Sequence, residues 1–219
     1  MLDTGDVKGL RVLIADDHHL SAKALADSFR ARGADVVAIS HSVPEALEAV
    51  RAELPDVLIS DLDMGPGPSG VDLALRVRST LPATGVVLLT AYEDPKLFSS
   101  NMPALPPEVV YMVKQRVREI EELEAAIELA LDYANGRQRP PKPVNRSTLT
   151  ESQADLLRLL AQGLSNQAIA HELSVSQDSV AKSINRLAKR LGVSQTSTQN
   201  VRVALSQRYF DFIGYQRER

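Results

Sequence analysis

The chain has 219 residues, 44% of them hydrophobic and 24% charged, with a formal net charge of −3 and no cysteine. That is enough for one large domain or two small ones, with an ordinary soluble composition, and it excludes disulfides, thiol catalysis and thiolate metal sites. Apolar runs such as Val86–Leu89 and Val109–Val113 are too short to cross a bilayer, and the first residues show no basic, then apolar, secretory pattern, so a cytoplasmic protein with no membrane partner is expected.

The first half alternates strand-like and helix-like stretches. Leu10–Ala15 is a buried-strand candidate, and Leu20–Arg32 carries apolar residues at helical spacing up to Gly33. Val36–Ile39 predicts a second strand, Pro44–Glu53 a second helix, Val57–Ser60 a third strand and Val71–Leu81 a third helix. Val86–Leu89 and Val109–Val113 supply strands four and five, and Val117–Ala134 a long closing helix. Pro95, Pro103, Pro106 and Pro107 fall between the last two strands and should shorten or break any fourth helix. Five such strands argue for a parallel sheet with helices on both faces.

From Arg137 to Val144, three prolines and three basic residues in eight positions favour an extended linker. Four helix candidates follow: Thr150–Ala161, Asn166–Leu173, Gln177–Leu191 and about Thr198–Phe212. The charge is divided too. Residues 1–140 hold 14 Lys and Arg against 22 Asp and Glu, a net of −8, whereas residues 141–219 hold 11 against 6, a net of +5. Only the back half is suited to a polyanion.

In an open parallel sheet, ligands bind beyond the carboxyl ends of the strands. The residues just past the apolar runs are Asp16 and Asp17 after the first, Asp61 after the third, Thr90 after the fourth and Lys114 after the fifth. Singly, each has a plainer reading as a helix cap, a loop residue or a solvated charge. Together they place three carboxylates, a hydroxyl and an ammonium on one edge. Such oxygens suit Mg²⁺, and the set fits an aspartyl-phosphate site in which Lys114 and Thr90 hold phosphoryl oxygens.

This half resembles the receiver domain of bacterial response regulators. The matching pieces are Val12–Asp17, Asp56–Met64, Gly70, Val86–Ala91 and Tyr111–Lys114. The resemblance implies a five-stranded, doubly wound, flavodoxin-like α/β fold, with Asp61 accepting a phosphoryl group from the histidine of a sensor histidine kinase. It further implies Mg²⁺ on Asp16, Asp17, Asp61 and the backbone carbonyl of Asp63, and a switch pair in Thr90 and Tyr111. Gln115 stands where the family usually has proline after its lysine. That departure and the prolines of the fourth helix bear on the activated dimer's geometry rather than on the chemistry.

In the second half, Gly163-Leu164-Ser165-Asn166 reads as a turn and a serine cap, and Ser174-Val175-Ser176 as another. The helix that follows carries Val180, Ile184, Leu187 and Leu191 on one apolar stripe. Lys182, Asn185, Arg186, Lys189 and Arg190 lie off it, and with Ser179 they form the expected DNA-binding set. Leu149-Thr150, Leu156–Asn166, Ile169-Ala170 and Leu191-Gly192-Val193 resemble the DNA-binding domain of the LuxR/NarL class, an all-α helix-turn-helix. Where relatives have Thr-Val-Lys-x-His, this chain has Ser179-Val180-Ala181-Lys182-Ser183, and their usual Arg-Glu after Leu-Thr becomes Ser152-Gln153. The family's last helix often dimerises, and Val201, Ala204 and Leu205 are the expected surface, extended by Tyr209 and Phe212.

The resulting expectation is a receiver at 8–135, a linker at 136–148 and a DNA-binding domain at 149–212, working on double-stranded DNA as a homodimer and not as an enzyme. A phosphatase of the haloacid-dehalogenase type would also use Asp61-Leu62-Asp63, but there the pair usually follows the first strand. A regulator that works without phosphate is the nearer alternative.

Overall fold

Val12, Leu13, Ile14 and Ala15 are apolar on both faces, as a strand covered on both sides must be. They are buried in β1 (Arg11–Ala15), an inner strand of the sheet in the first half of the molecule. The computed structural model describes residues 7–99, 102–140, 149–193 and 200–213. β2 (Asp35–Ser40), β3 (Val57–Ser60), β4 (Gly85–Thr90) and β5 (Val110–Val113) join β1 in a five-stranded sheet of order β2-β1-β3-β4-β5. Every pairing is parallel. The helices of this half are α1 (His19–Ala31), α2 (Val43–Glu53), α3 (Gly70–Thr80), the single turn α4 (Pro95–Phe98) and α5 (Ile120–Ala134).

The strand order reverses at β1. The chain first moves outward to β2, then crosses back to β3, so a crevice opens beyond the carboxyl ends of β1 and β3. Local chemistry sets the helix starts around that crevice. Ser42 caps α2 by accepting from Glu45 N, and Ser69 forms a reciprocal capping box with Asp72 at α3. At the opposite end of β4, Gly85 lets α5 approach closely: a Cβ there would stand 3.0 Å from Leu131 N and 3.1 Å from the Ala130 carbonyl carbon.

The chain divides into two compact units, Met1–Thr90 with Pro103–Val144, and Ala91–Met102 with Asn145–Arg219. In the second, α6 (Glu151–Ala161), α7 (Asn166–Glu172), α8 (Gln177–Arg190) and α9 (Val201–Phe212) surround an apolar core. Ala154, Leu157, Ile169, Val180, Leu187 and Leu205 lie in this core, and so does Leu97 of α4. The reduction of the fourth helix to four residues follows the expectation from its prolines.

Thr150 and Gln153 close a capping box at α6, with Thr150 N donating to Gln153 Oε1 at 3.0 Å. The glutamine in place of the family's glutamate therefore still serves as the partner of the cap. Asn200 caps α9 by accepting from Arg202 N at 2.9 Å. Its start is Val201; Thr198, where the helix was expected to begin, lies outside the described residues, as do residues 141–148 of the expected linker.

The surface expected for dimerisation needs correction. Ala204 and Leu205 are buried inside the second unit, and Val201, Tyr209 and Phe212 pack against the same core. α9 closes the core formed with α6, α7 and α8, so these residues turn inward. Val203 and Phe210 are the exposed apolar residues of α9.

Candidate functional site

Asp16 and Asp61 leave adjacent strands at the same level. Ala15 pairs with Ser60, and Asp61 N donates to the Ala15 carbonyl at 2.8 Å, so the ladder carries both aspartates into the crevice. Lys114 follows β5 and reaches back across two strands. Its Nζ lies 2.9 Å from Asp16 Oδ2 and 2.6 Å from Asp61 Oδ2. Asp61 Oδ1 accepts from Leu62 N at 2.6 Å and from Asp63 N at 3.3 Å, which fixes the rotation of the carboxylate. Asp16 Oδ1 accepts from His18 N at 2.9 Å, and its Oδ2 also takes the Ser21 hydroxyl at 2.9 Å. Asp17 is partly exposed and meets His18 Nδ1 at 2.8 Å.

The turn after Asp61 has little room. Gly70 N donates to the Leu62 carbonyl at 2.9 Å, and a Cβ on Gly70 would stand 1.9 Å from the Asp61 carbonyl oxygen. Glycine is therefore required where α3 begins, and it holds the loop carrying Asp63 against the sheet. Thr90 ends β4 opposite Val113 and is fully buried, while Tyr111 of β5 lies opposite Leu88 and is half-buried. Gln115 is exposed in a 3-10 turn spanning Lys114–Arg116.

The electrostatics favour an added cation. Burial raises the Asp61 carboxyl above its ordinary 3.8 against the opposing pull of Lys114, and the charge of Asp16 adds to the rise. For Lys114, burial is the largest single influence and disfavours the ammonium. Attraction and hydrogen bonds from Asp61 and then Asp16 together outweigh it, so the group stays above its ordinary 10.5. One ammonium serves the carboxylates of Asp16 and Asp61, and that of Asp17 stands beside them. Ligand atoms of Asp16, Asp17, His18 and Asp61 lie within 4.8 Å of one another. Mostly hard oxygen donors at this spacing fit a divalent cation of the magnesium kind.

In the second unit, the stripe Val180, Ile184 and Leu187 is buried, whereas Ser179, Lys182, Asn185, Arg186, Lys189 and Arg190 are all exposed on α8. Ser176 caps this helix through Ser179 N at 3.2 Å. Arg202 ties the start of α9 to the start of α7 through Asn166 Oδ1 and the Leu164 carbonyl. The basic helix itself packs on α6, α7 and α9.

Known proteins share both halves. Residues 12–128 match the response regulator receiver domain, and residues 147–204 match the luxR family of bacterial regulatory proteins. The chain belongs to the response regulators, as a receiver domain joined to a LuxR-type helix-turn-helix, and it is a DNA-binding regulator of transcription. It is 30% identical to the probable transcriptional regulatory protein NarL of Mycobacterium tuberculosis, over 92% of this chain and 96% of that protein. It is 29% identical to the DNA-binding transcriptional activator DevR/DosR of the same organism, over 85% and 90%. Among solved structures, RcsB from Salmonella enterica serovar Typhimurium, bound to promoter rprA with phosphomimetic BeF3−, aligns over 93% of this chain and 99% of that one. The TM-score is 0.52 at 21% identity, a likeness of fold. Among the described residues, no helix is long and apolar enough to cross a membrane.

Sequence reasoning missed His18, Ser21 and His41. The His41 ring nitrogen Nδ1 lies 2.8 Å from the Asp16 carbonyl oxygen, and the His41 ring lies 3.7 Å from that of His19. His18 follows the two aspartates directly and Ser21 stands one helical turn on, so both were within reach of a pattern argument. His41 arrives from the next strand, and only the fold brings it in.

Proposed function

We propose that Asp61 accepts a phosphoryl group from a histidine of a sensor histidine kinase, and that this modification controls how α8 binds promoter DNA. The observation that carries the reading is Lys114 reaching Asp61 and Asp16 at once, at the carboxyl end of a sheet whose order reverses there. Asp61 Oδ1 is held by the Leu62 and Asp63 amides, leaving Oδ2 on the Lys114 side as the attacking oxygen. The oxygen–phosphorus bond forms as the phosphorus–nitrogen bond of the phosphohistidine breaks, and the departing imidazole takes up a proton. Asp16, Asp17, Asp61 and the carbonyl of Asp63 would hold Mg²⁺, which would screen the charge between nucleophile and phosphoryl oxygens. Lys114 then pairs with one oxygen of the bound phosphoryl group, and Thr90 moves its hydroxyl toward another while Tyr111 turns inward.

The functional boundaries are a receiver at 8–135, a linker at 136–148 and a DNA-binding domain at 149–212. Ser179, Lys182, Asn185, Arg186, Lys189 and Arg190 meet phosphates and base edges of double-stranded DNA in the major groove. The chain acts in the cytoplasm as a binding protein without an enzymatic turnover of its own. A homodimer presents two recognition helices about one helical turn of DNA apart, with Val203 and Phe210 of α9 supplying its apolar contact. The test is a titration of the full chain against a promoter fragment, with and without a small-molecule phosphodonor and Mg²⁺. A rise in affinity that is absent in Asp61→Ala supports the reading. Equal affinity in both states, with phosphate demonstrably on Asp61, overturns the control by phosphorylation.

A further inference from the structure

Within the second unit, α7, α8 and α9 leave a cavity of about 330 Å³ between them. That volume falls within the range of small-ligand sites, about 300–1,000 Å³. Ala181, Ile184 and Val201 form its apolar part, and Ala181 contributes only a methyl group. Its polar part is Asn166, Asn185, Asn200 and Arg202, with no carboxylate among them. The hydrogen bonds already made there leave donors over. Arg202 has no acceptor on its side chain, so the Asn166 atom that its Nη1 meets is the amide oxygen. The Asn200 side-chain oxygen is likewise taken by Arg202 N, at 2.9 Å. Both side-chain amides therefore have their NH₂ groups left to offer. Arg202 gives a second guanidinium nitrogen to the Leu164 carbonyl and keeps further N–H groups beyond these two bonds.

The ligand's chemistry follows from this surplus. Amide donors beside one full positive charge suit an oxyanion, and so many donors suit the three oxygens of a phosphoryl group better than the two of a carboxylate. The apolar wall suits a small carbon skeleton. We propose that the cavity binds a small organic phosphate monoester. Its phosphoryl group meets Asn166, Asn200 and Arg202, and its organic part rests on Ala181, Ile184 and Val201. Asn185 also belongs to the set proposed above for DNA, so the ligand and DNA compete for it and each weakens the other. That competition rests on the reading of α8 given above; the site itself does not. The same donors would receive a backbone phosphate of DNA, and the test separates a free phosphate from a DNA-borne one.

The test uses the full chain in Mg²⁺-free buffer, which keeps the acidic site out of play, with phenyl phosphate as the probe. Affinity is read by calorimetry, and the site by the nuclear magnetic resonance signals of the side-chain amides. The natural chain binds phenyl phosphate saturably and more tightly than inorganic phosphate, with shifts at Asn166, Asn185 and Asn200. Asn185→Asp sets a carboxylate at the cavity with nearly the same shape, and Ala181→Leu fills the space without changing any charge. Each weakens binding about 10-fold or more. If Ala181→Leu unfolds the second unit, Asn185→Asp alone decides. No binding by the natural chain, or undiminished binding by the variants, overturns the site. A promoter fragment is then added. Phenyl phosphate lowers the affinity for DNA in the natural chain and not in Ala181→Leu. Shifts at Asn166 and Asn200 caused by DNA but not by phenyl phosphate assign the cavity to the DNA backbone and overturn the free ligand. A natural chain that binds no DNA removes the reading of α8, and the phosphate titration still decides the cavity.

Discussion

Lys114 Nζ lies 2.6 Å from Asp61 Oδ2, bridging 53 positions of sequence. The same ammonium holds Asp16, so a single cation serves two buried carboxylates while a third, Asp17, stands beside them. The excess of negative charge is the property from which the site's chemistry follows.

The first consequence is a pH-dependent stability. Burial raises the Asp61 carboxyl in the folded chain, so its contribution is fully present below its ordinary value of 3.8 and is lost as pH rises through the raised one. Asp61→Asn does not titrate. In metal-free buffer, the melting temperature of Asp61→Asn relative to the natural chain should therefore climb from below pH 3.8 toward neutrality. Added Mg²⁺ should stabilise the natural chain and leave the variant nearly unchanged. Thermal melts of both proteins across that range check it; a difference that shrinks with rising pH contradicts it.

Gly70→Ala should damage the acidic site without touching any charge. The added methyl would have to share space with the Asp61 carbonyl, 1.9 Å away, and neither partner is a flexible side-chain end. A loss of about 1–3 kcal/mol is expected from overpacking, together with weakened Mg²⁺ binding. Denaturant unfolding and a Mg²⁺ titration measure the two effects.

On α8, Lys182→Ala and Arg186→Ala should weaken binding to all DNA sequences or to some, according to what each side chain meets. If Lys182 meets a phosphate, its loss lowers the salt dependence of log K by about 0.9 and affects every sequence alike. If Arg186 reads a base edge, its loss costs about 1–3 kcal/mol on the preferred site only. Anisotropy titrations at several salt concentrations, on preferred and scrambled fragments, separate the cases. Both side chains are exposed, so their removal should leave the melting temperature unchanged.

Ser174, in the turn between α7 and α8, has a φ of 53°. The left-handed region disfavours a side chain there, so Ser174→Gly should relieve strain and stabilise the second unit by up to about 1 kcal/mol. Chemical denaturation checks the sign.

Most elements were legible because each carries a strong local pattern. The five apolar runs read correctly as strands, and the carboxyl-end rule alone placed Asp16, Asp61 and Lys114 on one edge, where the structure brings them into contact. The stripe of Val180, Ile184 and Leu187 likewise put the basic side chains of α8 outward. What was not legible depends on which partner an element finds. On α9 the apolar residues run around much of the helix, so no single face stands out, and the surface expected for dimerisation proved to be core. Prolines announced the shortening of α4, but nothing local to Leu97 could say that it would join the core of α6 and α9.

The most direct measurement is the intact mass of the full chain after incubation with Mg²⁺ and a small-molecule phosphodonor, beside an Asp61→Ala control. The account predicts a Mg²⁺-dependent gain of one phosphoryl group that the control lacks. A gain of the same size in Asp61→Ala would contradict it, because the phosphate would then reside elsewhere than on the carboxylate that Lys114 holds.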